Sequence, residues 1–274
     1  MLRGLIAGGW LVTLLWLERR HALRRSVDSK LRRDVRNFAI AGTAGVVVQF
    51  LEIPMAFGIA RTVCHRHWGL LQLWQVPLVL RVIAGVVLLD YTLYLWHVLT
   101  HRVPFLWRFH KVHHIDREMD ASTALRFHFG EMTLSLGFRA GQVALIGVSP
   151  FTIASWQLFL FLCILFHHSN VRLPLAWERR LGWFVVTPRL HGIHHSIAPE
   201  QVNSNWSSGL TVWDWLHKTL RTEVKQDDIV IGVAGHLEDA DQTLGNALTL
   251  PFRETSDVVP MPERAGRQSL AALR

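Results

Sequence analysis

Ten of the 16 histidines fall into four groups: His97 with His101, His110 with His113 and His114, the neighbours His167 and His168, and His191 with His194 and His195. On a helix, positions four apart differ by about 40° around the axis, so His97 and His101 share a face and each H-x-x-H-H triplet fits an arc of roughly 100°. Each group is therefore expected to present its imidazoles to one point. Clustered imidazoles repel one another when protonated and strand buried nitrogens when neutral, unless an electrophile holds them, so the pattern points to metal binding. A structural zinc takes about four ligands, and this chain offers more than twice as many histidines, which favours a two-metal site. Imidazole suits iron, copper, zinc and nickel alike, so ligand type by itself leaves the metal open.

The candidate ligands are His97, His101, His110, His113, His114, His167, His168, His191, His194 and His195, together with His128 in Arg126-Phe127-His128-Phe129-Gly130-Glu131. Asp90 precedes His97 by two helical turns and is expected to accept the second ring proton of a ligating histidine, fixing its tautomer. Asn170 follows His168 and is expected to support the same centre, as a weak oxygen ligand, through water, or as a cap of the helix end. His21, His65, His67, His217 and His236 lie outside the groups and are read as non-ligands.

The elements that must position these residues are apolar. The 274 residues are 50% hydrophobic and 18% charged, with 2 Cys, which excludes a disordered chain, a disulfide scaffold and a four-thiolate zinc site. The apolar residues are bunched into runs at Leu2–Leu17, Phe38–Ala60, Trp74–Trp96, Glu131–Val148 and Phe151–Phe166. The expectation is an all-α integral membrane protein of about four to five membrane helices under a histidine-rich helical cap, the last two helices forming a short hairpin at Gly147-Val148-Ser149-Pro150. The first run lacks a small-x-small cleavage site and reads as an anchored helix rather than a signal peptide.

The net charge of +8 concentrates between Arg19 and Arg36, without interleaved stacking aromatics, which suits a membrane surface and not nucleic acid. Placing that basic loop in the cytoplasm puts every histidine group on the cytoplasmic face of a multi-pass protein. Three regions are expected: N-terminal membrane helices and the basic loop at 1–84, a catalytic unit at 85–252, and a polar tail at 253–274.

From about Gly85 to Phe252 the chain resembles the fatty acid hydroxylase/sterol desaturase superfamily. The resemblance is carried by Asp90-Tyr91-Thr92-Leu93-Tyr94-Leu95-Trp96-His97, the His110 to His114 box, and His168-Ser169-Asn170-Val171-Arg172-Leu173-Pro174. It continues through Thr187-Pro188-Arg189-Leu190-His191-Gly192-Ile193-His194-His195-Ser196, Asn205 and Trp213-Asp214. It implies membrane enzymes that use a histidine-ligated di-iron centre, molecular oxygen and external electrons to hydroxylate or desaturate lipids such as sterols, fatty acyl chains or other isoprenoid and ether lipids. Carried over residue by residue, ligand roles fall on His97, His101, His110, His113, His114, His168, His191, His194 and His195.

The chain departs from the family at three places. Phe129 replaces the proline of the family's Arg-x-His-Pro-x-Glu, Asn205-Trp206-Ser207-Ser208-Gly209 stands where Asn-Tyr-Gly is common, and Lys218-Thr219 stands for Gly-Thr. With no G-x-G-x-x-G element and no cysteine set for an iron–sulfur cluster, electrons are expected from an external small cytochrome, ferredoxin or reductase. The other class compatible with the residues is a non-enzymatic membrane metal or haem protein, an electron carrier or transporter.

Overall fold

The computed structural model describes residues 2–253 except Trp74, so the polar tail beyond Arg253 and the start of the third apolar run lie outside the described residues. Its architecture is helical, with only isolated bridges among the described residues. The helices are α1 (Leu2–Arg20), α2 (Lys30–Val47), α3 (Ile53–Arg66), α4 (Leu78–Arg102), α5 (Pro104–His114), α6 (Phe129–Ile146) and α7 (Pro150–His168). Five short ones follow: α8 (Leu175–Leu181), α9 (Pro188–His194), α10 (Pro199–Val202), α11 (Val212–Leu216) and α12 (Leu244–Thr249).

Three segments are long and apolar enough to cross a bilayer: Lys30–Gln72, Leu78–Arg102 and Pro150–His168. The first contains Pro54, whose ring would clash with a carbonyl one turn back in a regular helix. A wide π turn at Val48–Glu52 absorbs that clash, the N–H of Ile53 reaching back to Val48 O, and the helix continues into α3. The expected α6–α7 hairpin forms. Gly147 closes α6 in the left-handed region at φ 79° and meets Gly69, itself at φ 89°. A Cβ on Gly69 would stand 2.5 Å from the Gly147 Cα, so both positions need glycine.

α3, α4, α6 and α7 share one apolar core built on Ala56, Ala60, Leu89, Val143, Ile146, Ile153, Trp156 and Leu160. α1 lies against α7, with Leu14 packed among Leu165 and Val171 and the Trp10 indole donating to Leu162 O at 3.1 Å. The ion pair of Arg139 with Glu52 at 3.2 Å ties α6 to the π turn, beneath the Trp156 ring.

The basic stretch between α1 and α2 is only partly a lipid-facing surface, a correction to the sequence reading. Arg33 is 1% exposed and points inward. Its Nε meets Asp116 Oδ1 at 2.9 Å, and its Nη1 binds Asp120. Lys30 bridges Glu18 at 2.7 Å and also binds Asp120, while Asn37 donates to Asp116 at 3.0 Å. The loop after α5 carries these acids, so the network clamps α2 and the end of α1 onto the chain that leaves the His110 box. Burial alone would raise the Asp116 carboxyl, but the guanidiniums of Arg33 and Arg126 outweigh it and hold it below the usual carboxylate range.

Arg33→Met leaves two buried carboxylates short of their cation, and removing one partner of such a pair costs about 3–5 kcal/mol. Thermal unfolding of the detergent-purified variant should show a clearly lowered midpoint; an unchanged midpoint would remove the clamp from the account.

Candidate metal centre

Nine histidines from four parts of the fold converge into two buried groups. His97, His101, His110, His114 and His194 form one; His113, His168, His191 and His195 form the other, with ligating atoms in each group within 4.8 Å of one another. α4 delivers His97 and His101 from its last two turns, and α5 delivers the first box immediately after Val103 and Pro104 break the helix. α7 delivers His168 at its end, and α9 carries His191 and His194, with His195 just beyond.

The triplets do not each aim at one point, as the sequence reading expected. His110 and His114 join the first group while His113 goes to the second; His191 and His195 join the second while His194 goes to the first. The reason is helical phase. Residues four apart sit about 40° from each other, whereas the residue three on falls about 60° to the other side, so one box feeds two centres.

The second group is tight. His168 Nε2 lies 3.0 Å from both His113 Nε2 and His191 Nε2, and His195 Nε2 lies 3.2 Å from His191 Nε2. In the first group, His194 Nε2 lies 3.1 Å from His97 Nε2. Such separations match the edges of a coordination shell, since metal–imidazole bonds of about 2.0–2.1 Å place neighbouring nitrogens about 3 Å apart.

The outer nitrogens are held by partners that set the tautomer. His97 Nδ1 donates to Trp206 O at 2.6 Å, His194 Nδ1 to Ser204 O at 2.9 Å, and His168 Nδ1 to Ile164 O at 2.9 Å. His110 Nδ1 donates to Glu131 Oε1 at 2.8 Å. Each bond leaves Nε2 as a free lone pair directed inward. Both ring nitrogens of His101 and His114 and Nε2 of His110 are buried without a hydrogen-bond partner. A bound metal would satisfy one nitrogen of each of these three rings.

Burial holds His113, His114, His191 and His195 well below the usual imidazole range and brings His194 down to about 3, with neighbouring histidines among the further causes. Neutral imidazoles are the form a metal needs.

The other expected site residues divide differently. His128 caps α6, accepting the Gly130 N–H on Nδ1 at 2.9 Å while Nε2 donates to Leu248 O at 3.2 Å; both nitrogens are spent outside the two groups. His167 also lies outside them, its ring centroid 4.0 Å from that of His191. Asp90 does not reach His97. Seven residues of helix rise amount to about 10 Å, so a shared face did not bring contact. Its Oδ2 accepts instead from the Leu210 N–H at 3.0 Å and the Trp213 indole at 2.7 Å. Asn170 pairs with the Arg24 backbone, accepting at 2.8 Å and donating at 2.9 Å, and so fastens the α1–α2 connection rather than a metal.

The sequence reading missed Glu131, although it lies in the quoted Arg126 to Glu131 stretch; a carboxylate three residues past a histidine at a helix start was the available signal. It also missed how the loop after α9 serves His97. Asp214 accepts the N–H groups of Trp206 at 2.9 Å and Ser207 at 2.8 Å, which places the Trp206 carbonyl on the His97 ring. Asn205, in the left-handed region at φ 51°, secures the same loop by donating to Leu190 O and Arg221 O, both at 2.8 Å. Gly192 within the last box has a reason of its own: the Arg24 guanidinium crosses its backbone where a Cβ would stand.

Fold and site together define a helical membrane protein with a histidine-lined candidate metal centre. Residues 82–219 match the fatty acid hydroxylase family, and the chain belongs to that family. It is 30% identical over 163 residues to ornithine lipid hydroxylase OlsE of Rhizobium tropici, covering 59% of this chain and 48% of that protein. It is 34% identical over 171 residues to a cholesterol 25-hydroxylase-like protein of Danio rerio (59% of this chain, 66% of that protein). Alkylglycerol monooxygenase of Xenopus tropicalis is 28% identical over 134 residues, covering 49% of this chain and 29% of that protein. The chain thus spans less than two thirds of each of these relatives. No solved structure matches.

Two outcomes follow from this geometry. Glu131→Ala should weaken metal binding about 10–100-fold, as loss of such outer partners does, measured by chelator competition on purified protein; full affinity would show that His110 needs no orientation. For the metal-free protein, imidazoles with lowered folded-state pKa values give stability that is complete above about 6.5 and lost as pH falls below it, because the unfolded chain takes up the protons. Thermal scans at pH 7.5 and 5.5 should show the lower midpoint at 5.5, and equal midpoints would contradict the burial argument.

Proposed function

We propose that the protein is a membrane-bound, oxygen-dependent lipid hydroxylase with two irons held by His97, His101, His110, His114 and His194 on one side and His113, His168, His191 and His195 on the other. The observation that carries this reading is the convergence of nine buried imidazoles into two groups beside the ends of α4 and α7, both long and apolar enough to cross a bilayer. The named activities of the relatives, on ornithine lipid, cholesterol and alkylglycerol, support a lipid as the substrate class. The catalytic unit is 85–252, with 1–84 packed against it as a brace.

Bound iron would supply activation of molecular oxygen for attack on a carbon–hydrogen bond that acid and base side chains cannot break. The residues of this chain do the rest. The carbonyls of Trp206, Ser204 and Ile164 and the Glu131 carboxylate hold the ligand rings in one tautomer and orientation. The Phe127 ring stacks on His113 with centroids 4.6 Å apart, and Trp107 lies 5.0 Å from His101, so apolar rings screen the centre from water. Electrons come from an external donor, a small cytochrome, ferredoxin or reductase. The site faces the cytoplasm, in keeping with Arg19 and Arg20 at the end of α1, Arg25 in the loop after it and Arg32 at the start of α2, all of which remain exposed.

Elemental mass spectrometry on protein expressed with added iron should find about two irons per chain, as a two-metal site requires. His113→Ala should lower that content and abolish turnover in a screen of ornithine lipids, sterols and alkylglycerols, while the protein stays in the membrane. One metal or none in folded protein would sink the two-iron reading.

A further inference from the structure

After α7 the chain leaves the bundle, and between α8 and α11 it returns to the side of α4. The returning segment exposes large apolar groups on one face: Trp177 (62%), Trp183 (73%), Phe184 (71%), Trp215 (63%) and Leu216 (56%). Its position is set by α4. Asp90 holds the Leu210 N–H and the Trp213 indole, the Trp213 ring lies 4.8 Å from Tyr91, and the His217 ring stacks on Tyr94 at 5.0 Å. The Phe184 carbonyl accepts the Thr211 N–H at 3.1 Å, which brings Trp183 and Phe184 to the same level.

That level lies within the membrane-spanning length of α4. Asp90 and Tyr94 stand 12 and 16 residues beyond Leu78, a rise of about 18–24 Å. With Leu78 at the far edge of a hydrocarbon core about 30 Å thick, they lie about 6–12 Å inside the histidine-side boundary. Interfacial amphipathic elements sit about 5–10 Å deep in that boundary.

A second observation is a cavity of about 1110 Å³ lined by α8, α9, α11 and residues 220–226. Trp183, Val212 and Trp215 are among its apolar lining residues, and Arg179, Glu223 and Lys225 among its charged ones. Exposed Arg180 and Lys218 border the apolar face, and exposed Leu95 and Leu99 of α4 continue it. Tryptophan flanked by cations is the composition of a membrane–water interface.

We propose that this face is a monotopic membrane surface: Trp183, Phe184, Trp215 and Leu216 lie in the acyl region of the histidine-side leaflet, with Arg179, Arg180 and Lys218 at its headgroups. The bilayer is the occupant, because the face is level with and continuous with the lipid-exposed part of α4. The cavity then borders the leaflet through Trp183 and Trp215, and its mixed apolar and charged lining suits an amphiphile entering from the membrane. The placement is independent of the metal and of the reaction.

The test is spin-label depth measurement on the full chain, reconstituted in phosphatidylcholine–phosphatidylglycerol vesicles. Trp183→Cys, Trp215→Cys and the exposed control Asp227→Cys are each labelled in a Cys64→Ser, Cys163→Ala background, with an unchanged thermal unfolding midpoint as the check of folding. Labels at 183 and 215 should collide with oxygen several-fold more often than with a water-soluble nickel chelate, and the control should show the reverse. Nickel-dominated collisions at 183 and 215 would overturn the proposal, and so would shielding from both reagents, which would mark a protein partner or a second copy on this face.

Discussion

Everything in this molecule is arranged around nine imidazoles that are buried and crowded into two groups, with the nitrogens of each group within 4.8 Å of one another. Without an electrophile such a cluster has no favourable state: protonated rings repel in a low dielectric, and neutral rings strand their lone pairs. Both penalties vanish when the lone pairs meet a metal. The fold must therefore keep the rings dry, hold their outer N–H groups, and bring four chain segments to one place before the metal can contribute.

The membrane bundle meets the third requirement by ending its helices together. α4 and α7 finish side by side with histidines in their last turns, while the Gly69–Gly147 contact at the opposite end lets the α6–α7 hairpin seat against α3 and α4. Orientation comes mostly from the main chain, since three of the outer ring bonds end on carbonyls and one on Glu131. A carbonyl is only as well placed as its loop. That gives the Asp214 and Asn205 interactions their purpose, because they fix the loop whose carbonyl orients His97. The acid-rich loop beyond α5 is anchored by Arg33 and Asn37 from α2, which fastens the chain leaving the His110 box.

Membership in the fatty acid hydroxylase family gives this architecture a functional context, and the differences from the family's common pattern fall outside the nine grouped histidines. Phe129 replaces a proline beside His128, a residue whose nitrogens serve the start of α6 and Leu248. Trp206 stands in the loop after the last box, where its backbone rather than its ring contacts His97. The ring itself is buried, with the Arg102 guanidinium over it.

Much of this was legible without coordinates. The histidine groups, the apolar runs and the turn at Gly147 to Pro150 are local patterns, and local patterns survive in a sequence because period and composition act on neighbouring residues. So the helices, the hairpin and the histidine pattern that the fold gathers into two buried groups were readable in place. Which centre each histidine joins was not, since that depends on the rotation of α5 and α9 against partners far away in the chain. The same holds for Asp90, two turns and about 10 Å along α4 from its expected partner, and for Arg33, whose charge reads as surface until the Asp116 and Asp120 carboxylates fold over it. Residue type and spacing determined that this chain gathers imidazoles at a membrane. Tertiary packing alone decided which nitrogens face inward, because each outer hydrogen bond is closed by a carbonyl or carboxylate supplied from another part of the fold or, for His168, by the preceding turn of its own helix.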